Sequence, residues 1–536
     1  MTLLFAACAV EPSRLSYPLA SLYLKTAVDT SQELSFQTAL FEFFLQDDPF
    51  EAAERCLQYD NPIIACSVYV WNRKWFTVFL RKIREVSPGT IIILGGPEVT
   101  ADRDSFSAIG ADAVISGEGE LALIDFLKSL KSGSYRSTNV PSIFTDLAEL
   151  PSPILSDPEH LKRYSGISWE LTRGCPYACT FCYESKGNRT VRSFSIERLT
   201  KELEIILKSG VSNVFILDPT FNMSASRTKE ILHLLLDKAG TTVRFHVEIR
   251  AELLDEEMAE LFSELDCALQ IGLQSSDPEV MKLVGRYFDP ELFARKCELL
   301  AVRGIVFGVD LIYGLPGDTL SGFLKSISYA VSLRASNLDI FRLSVLPGTM
   351  LYDQAKEFGL TAELNAPYTV LETPSFSKED FLKADTAKEL VDLFYTFGEA
   401  GIWFPRICEA VELDGAEVLS IFGSGLGRKT GPSDYDQIDI LQKEFVTRLL
   451  SDHNKHAYIP AAISYIALHQ AFSTLTRTEE AQHITLTYHP DDLAELDTLS
   501  LKFFISCFEQ EETPFLISYA EDGTIQFSEE ECLFLD

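Results

Sequence analysis

Three cysteines, Cys175, Cys179 and Cys182, fall within eight residues in the run LTRGCPYACTFCYESKGNR. At this CxxxCxxC spacing three thiolates can surround one face of an iron–sulfur cube, whose irons require thiolate ligands, and leave one iron without a protein ligand. A structural zinc site would want a fourth Cys or His close by, and the nearest histidines are His160 and His233. Three thiolates without a fourth predict that a small molecule completes the coordination. The rest of the eleven cysteines are scattered singly, which reads as buried thiols in a reducing cytosol rather than a disulfide framework.

The loop follows a short strand, SWELT, that opens a regular alternation. Strands VSNVFILD, VRFHVEIR, CALQIGLQS, GIVFGVDLIYG and LDIFRLSVL alternate with helical stretches near 195–209, 224–239, 255–265, 289–303 and 319–334. About six parallel β/α units in succession predict a partial (β/α)6 barrel with its chemistry on the loops that follow the strands. An earlier series fills residues 1 to about 130. Its strands TLLFAACAV, ELSFQTALF, PIIACSVYV, TIIILGG and ADAVISG are apolar runs separated by helices such as RKWFTVFLRKIREV. The start MTLLFAACAV lacks a basic segment and reads as a buried first strand rather than a signal peptide. Such runs belong to a parallel sheet covered on both faces, so residues 1–135 are expected to form a doubly wound, Rossmann-like α/β domain that binds at the carboxyl ends of its strands. Residues 136–165, rich in Ser and Pro, read as a linker. Residues 166–375 read as the barrel, and 376–536 as a mainly helical region ending in a small sheet (HITLTYH, PFLISYA, TIQFS).

The cysteine loop is similar to the signature of the radical S-adenosylmethionine (SAM) superfamily, including the aromatic Phe181 just before the last cysteine. The resemblance implies a 4Fe–4S cluster whose open iron is chelated by the amino and carboxylate groups of SAM. It further implies reductive cleavage of SAM to methionine and a 5′-deoxyadenosyl radical, the protein positioning the cofactor and excluding competing reactions. Segments after later strands extend it. DPTFN carries Asp218 and Asn222, and VEIRAELL carries Glu248 and Arg250. The resemblance assigns residues of the latter kind to the ribose hydroxyls and the methionine carboxylate, which a guanidinium can clamp with two hydrogen bonds. IGLQSSDPEVMKLVGR puts Gln274 and Ser275 near the cofactor, and the turn IYGLPGDT brings Gly314 close to the adenine. In this order after the cysteine loop the segments form one pattern, over roughly residues 1 to 375.

A doubly wound domain ahead of such a barrel resembles the cobalamin-binding radical SAM enzymes. GGPEVT, with Gly95, Gly96 and Thr100, matches the glycine-rich segment over which the nucleotide tail of cobalamin passes, and GEGE, with Gly117, Glu118 and Gly119, matches the next strand end. A nicotinamide-binding domain would instead place GxGxxG after the first strand, where VEPSRLSYPL stands. One departure is the missing DxHxxG motif: no histidine precedes His160. The lower face of the cobalt is then left to Trp71, Asn72 or water, an arrangement that should ease transfer of a methyl cation.

The balance of 46 Lys plus Arg against 79 Asp plus Glu, a formal charge of −33, opposes a grip on DNA or RNA. No window reaches the roughly 18 apolar residues of a membrane-spanning helix. The reading that results is a cytoplasmic radical SAM enzyme acting on a small molecule or peptide. It would draw electrons from a donor such as flavodoxin or ferredoxin and methylate carbon through methylcobalamin. Two alternatives stand beside it: the same architecture performing a non-methylating cyclisation, rearrangement or oxidation, with or without cobalamin, and a non-catalytic cofactor-binding protein. His246 shares a strand face with Glu248 and Arg250 by period-two alternation, so it either lines the site or sits in the core.

Overall fold

The computed structural model describes residues 1–134, 139–141, 143–186, 189–425, 434–520 and 523–529. The chain groups into two compact units, one of Met1–Gln270, Lys282–Tyr287 and Leu343–Pro374, the other of Ile271–Met281, Phe288–Arg342 and Ser375–Asp536. The first unit begins with β1 Thr2–Ala9, α1 Leu19–Thr30, β2 Gln37–Phe44, α2 Pro49–Leu57, β3 Ile63–Ser67 and α3 Arg73–Val86. It continues with β4 Ile91–Gly95, α4 Pro97–Ala101, α5 Arg103–Ala108, β5 Ala113–Ile115, α6 Glu120–Lys131 and β6 Asn139–Val140. The strands form one parallel sheet in the order β2-β1-β3-β4-β5-β6.

Alternation along the strands explains why both faces are covered. Leu3, Phe5, Ile63, Ala65, Ile93 and Ala113 pack with Ala122, Leu123, Phe126 and Leu127 of α6. Their neighbours Leu4, Ala6, Ile64, Cys66, Leu94 and Val114 pack with Phe76, Phe79, Leu80 and Ile83 of α3. Each large side chain so buried contributes about 1.5–3 kcal/mol. The apolar start of the chain is thus a central strand. From β1 the chain passes to β2 on one side and crosses to β3 on the other, so the strand order reverses between β1 and β3, where open sheets of this type bind ligands. The Ser- and Pro-rich stretch supplies the sixth strand; its residues 136–138 and 142 lie outside the described residues.

The second sheet starts with β7 Gly166–Trp169. A two-residue antiparallel pair follows, β8 Thr172–Arg173 with β9 Arg192–Ser193, and then β10 Asn213–Ile216, β11 Arg244–Ile249, β12 Cys267–Gln274, β13 Val306–Tyr313 and β14 Asn337–Arg342. Its order, β14-β13-β12-β11-β10-β7, is strictly sequential, as six β/α units without reversal require. Helices Ile196–Ser209, Ala225–Lys238, Glu256–Ser263, Pro290–Ala301 and Leu320–Ser332 fall where the pattern placed them. Ser195, Asp255, Asp289 and Thr319 start four of them, each side chain accepting the N–H three residues on, which satisfies a donor the helix cannot.

In the second unit, helices Lys378–Leu390, Phe404–Val411, Gly415–Gly425, Tyr435–Asp452 and Ile459–Thr478 gather around Phe394, Trp403, Phe404, Phe422 and Phe445. Strands Gln482–Leu486, Thr513–Tyr519 and Ile525–Glu529 close it as an antiparallel sheet. Among the described residues no helix is long and apolar enough to cross a membrane.

Candidate active site

The three cysteines lie on the excursion between β8 and β9. Cys175 and Cys179 are buried, Cys182 is half-buried, and none is in a disulfide. The loop is held from several sides. Asp218, just after β10, accepts the N–H groups of Leu171 and Thr172 at 2.9 Å each. Thr180 donates its N–H to Val284 O at 3.0 Å and accepts from Leu351 N–H at 2.9 Å. Gly285, at φ +71°, comes so close that a Cβ there would stand 2.7 Å from Ala178 O. Val284 and Leu351 act through main-chain atoms, which no residue type announces; the glycine in KLVGR was the one signal available.

Beside the sulfurs stands Arg250. Asn222 pins its backbone, donating from Nδ2 to Arg250 O and accepting Arg250 N–H at Oδ1, both at 2.9 Å. The guanidinium lies 3.8 Å from the centre of the Tyr177 ring and pairs with Glu252 at 2.7 Å. Burial raises the Cys175 thiol, while a backbone N–H and the Arg250 charge oppose it. Burial pushes Cys182 up to about 11, with Cys179 and Cys175 adding to the rise. The sulfurs therefore sense one another and a fixed cation, and iron can replace the protons that burial retains. Among the described residues no three His, Cys, Asp or Glu side chains converge tightly enough for a single metal ion. A cube carries its irons at separate corners, so its thiolates stand apart around it, and three cysteine donors fit a 4Fe–4S cluster.

The remaining residues singled out from sequence divide by task. Asp218 is 3% exposed and Asn222 1%, and burial raises the Asp218 carboxyl to about 6. Both serve as struts for the loop and for Arg250, not as the open cofactor contacts the resemblance implies. Arg250 is paired with Glu252 at one end of its guanidinium, which carries further N–H donors. Glu248 is reached by solvent, and the protein around it raises its carboxyl. His246 stacks on Phe215 at 4.3 Å and hydrogen-bonds Asn213 at 3.0 Å, so it serves packing between β10 and β11. Phe181 is half-buried.

In the second unit Gln274 holds φ +69° and buries an Oε1 that has no hydrogen-bond partner. Left-handed backbone and an orphaned polar atom in one residue mark a place where a ligand recovers the cost. Ser275 is buried and accepts Asp277 N–H at 3.2 Å. Gly314, at φ +82°, donates its N–H at 3.2 Å to Asp318, whose carboxyl burial raises to about 7.

At the ligand end of the first sheet, Asn72 donates to Cys8 O at 3.1 Å and Ser67 O at 3.3 Å and accepts Tyr69 N–H at 2.8 Å. It ties β1 to β3 and has no atom left for a cobalt. Trp71 is the open member of the pair, 47% exposed and stacked on Tyr69 at 4.4 Å. Gly96 is required internally: at φ +104° its Cβ would stand 2.5 Å from Val68 O, whereas Gly95 has only ordinary contacts. Thr100 donates its hydroxyl to Gly96 O and accepts Gly117 N–H, both at 2.9 Å. Gly119 faces Leu24, and Glu118 turns toward Arg192 and Arg173. Burial raises the Tyr183 phenol, and a hydrogen bond with Thr100 opposes that rise. The residue after Cys182 therefore meets α4, the short helix that follows β4 of the first sheet.

The B12 binding domain model matches residues 17–127, and the Radical SAM superfamily model matches residues 169–330. Residues 169–330 are thus a radical SAM domain, preceded by a B12 binding domain. A radical SAM domain implies a 4Fe–4S cluster and SAM, and a B12 binding domain implies cobalamin. The chain is similar to the cobalamin-dependent radical SAM methyltransferase TokK of Streptomyces tokunonensis, 26% identical over 388 residues, which are 64% of this chain and 56% of TokK. The alignment thus spans little more than half of TokK's length. It is also similar to the uncharacterized methyltransferase PH0819 of Pyrococcus horikoshii, 23% identical over 406 residues, 71% of this chain and 87% of that one. The fold is shared with the cobalamin-dependent SAM radical enzyme OxsB, solved with aqua-cobalamin and SAM bound, at a TM-score of 0.60 and 16% identity over 95% of this chain and 84% of OxsB.

Proposed function

We propose that this radical SAM protein is a cobalamin-dependent methyltransferase acting on a carbon of a small molecule or peptide. The observation that carries the reading is the meeting of Tyr183, next to Cys182, with Thr100 of α4, the short helix that follows β4 of the first sheet. Radical chemistry and methyl delivery at one substrate carbon need both cofactors beside one reaction site. When bound, the cluster with SAM supplies the radical and cobalamin supplies the methyl group.

The chain's own part is placement. Cys175, Cys179 and Cys182 would hold the cluster, and Arg250, fixed by Asn222, would offer its guanidinium to the carboxylate of SAM beside the thiolates. Glu248 is the open acceptor suited to ribose hydroxyls. Trp71, exposed and stacked on Tyr69, would offer a bound cobalamin an aromatic face rather than a ligand atom. Electrons come from a flavodoxin or ferredoxin, in a cytoplasmic setting. TokK, a methyltransferase by name, favours methylation over the other radical outcomes.

Anaerobic reconstitution with iron, sulfide and hydroxocobalamin, followed by SAM and dithionite, tests the reading. It should yield 5′-deoxyadenosine together with S-adenosylhomocysteine. A fully iron-loaded protein that binds no cobalamin removes the methylation reading, and 5′-deoxyadenosine alone redirects it to a non-methylating reaction.

A further inference from the structure

The stem of the cysteine loop holds two like charges face to face. Arg173 and Arg192 are direct cross-strand partners on β8 and β9, and like charges so placed are destabilising. Glu118, in the turn between β5 and α6, answers both. Its carboxylate takes both terminal nitrogens of Arg192 and stands 3.7 Å from Arg173. Thr145 N–H donates to Glu118 Oε2 at 3.1 Å, and Thr145 O accepts from Arg192 at 2.7 Å, so carboxylate and guanidinium share one fixed seat. Arg173 has further anions, Glu120 at 2.7 Å and Glu170 at 3.0 Å. The side chains of Arg173, Arg192 and Glu118 are 13%, 17% and 22% exposed, so water screens the conflict little.

We infer that Glu118 is a positioning residue of the cysteine loop, the shared counter-ion that keeps Arg173 and Arg192 together at the loop's base and so sets where the three thiolates stand. The inference rests on the cluster reading above and deepens it. The GEGE turn, whose resemblance points to cobalamin, directs its first carboxylate at the cluster loop. Removing that carboxylate leaves two opposed arginines, and removing one arginine as well relieves them.

Three variants test this: Glu118→Gln, Arg192→Gln and the double substitution. Hydrogen exchange of the peptides containing 172–173 and 192–193 is measured on the cofactor-free protein, and iron release to a chelator on the reconstituted protein. Glu118→Gln should speed exchange at the stem by about tenfold or more, equivalent to about 1.4 kcal/mol of easier opening, and hasten iron release. The double variant should return toward wild type, a rescue that lost packing would not produce. Wild-type exchange in Glu118→Gln, or a double variant no better than the single, overturns the inference. Should Glu118→Gln not fold, a folded double variant supports it and an unfolded one overturns it. A wild-type protein that takes up no iron and sulfide defeats the cluster reading instead, since the exchange measurement needs no cofactor.

Discussion

At Arg250 a single charge is held by three unlike contacts: Asn222 on its backbone, the Tyr177 ring against its plane, and Glu252 at its end. Replacing it with Ala should leave iron content intact, because the sulfurs remain, but weaken SAM binding about tenfold or more, the loss expected for a charge-assisted contact. Calorimetric titration with SAM checks this, and wild-type affinity would show that the guanidinium does not reach the cofactor. Cys175→Ala, Cys179→Ala and Cys182→Ala should each abolish the brown colour and most of the bound iron.

Asp318 titrates unusually. Burial raises it from 3.8 to about 7, so the folded state disfavours its charged form. The stability this group contributes is then complete below about pH 4 and is lost as pH rises through 7. The melting temperature of wild type relative to Asp318→Asn should accordingly fall between pH 4 and pH 8. A constant difference would show the carboxyl to be solvated.

Elements position these groups through close approaches that only glycine permits. The segment Lys282–Tyr287 reaches the cysteine loop because Gly285 has no Cβ to meet Ala178 O and adopts φ +71° without strain. Gly285→Ala should cost about 1–3 kcal/mol and free the loop, lowering the iron retained after gel filtration more than it lowers the melting temperature. Full retention would mean that the loop holds its shape without this support. Gly96 plays the same part between β4 and β3, which is why the first sheet can end in a tight turn at the point where its strand order reverses.

For the molecule as a whole, the doubly wound sheet and the cysteine loop belong to one compact unit, so a ligand at the sheet's end stabilises the frame that carries the cluster. Hydroxocobalamin at about 100 times its Kd should add about 2.7 kcal/mol to unfolding, a rise in melting temperature that Trp71→Ala should diminish by weakening the aromatic contact. An unchanged melting temperature across a hydroxocobalamin titration of wild type would argue that this sheet no longer binds the cofactor.

The amino-acid sequence by itself determined the chemistry and the scaffold. Cysteine spacing and continuous apolar runs alternating with helical stretches are local signals, readable within a few turns of chain, and they located the cysteine loop, both parallel sheets and the barrel helices. Only the tertiary structure decided which side chain serves which partner. Asp218 holds Leu171, 47 residues away, Asn72 holds Cys8 at 64, and Glu118 holds Arg192 at 74. A carboxylate or amide carries the same hydrogen-bonding capacity wherever it stands, so its task, strut or cofactor contact, is set by what the folded chain brings within about 3 Å of it.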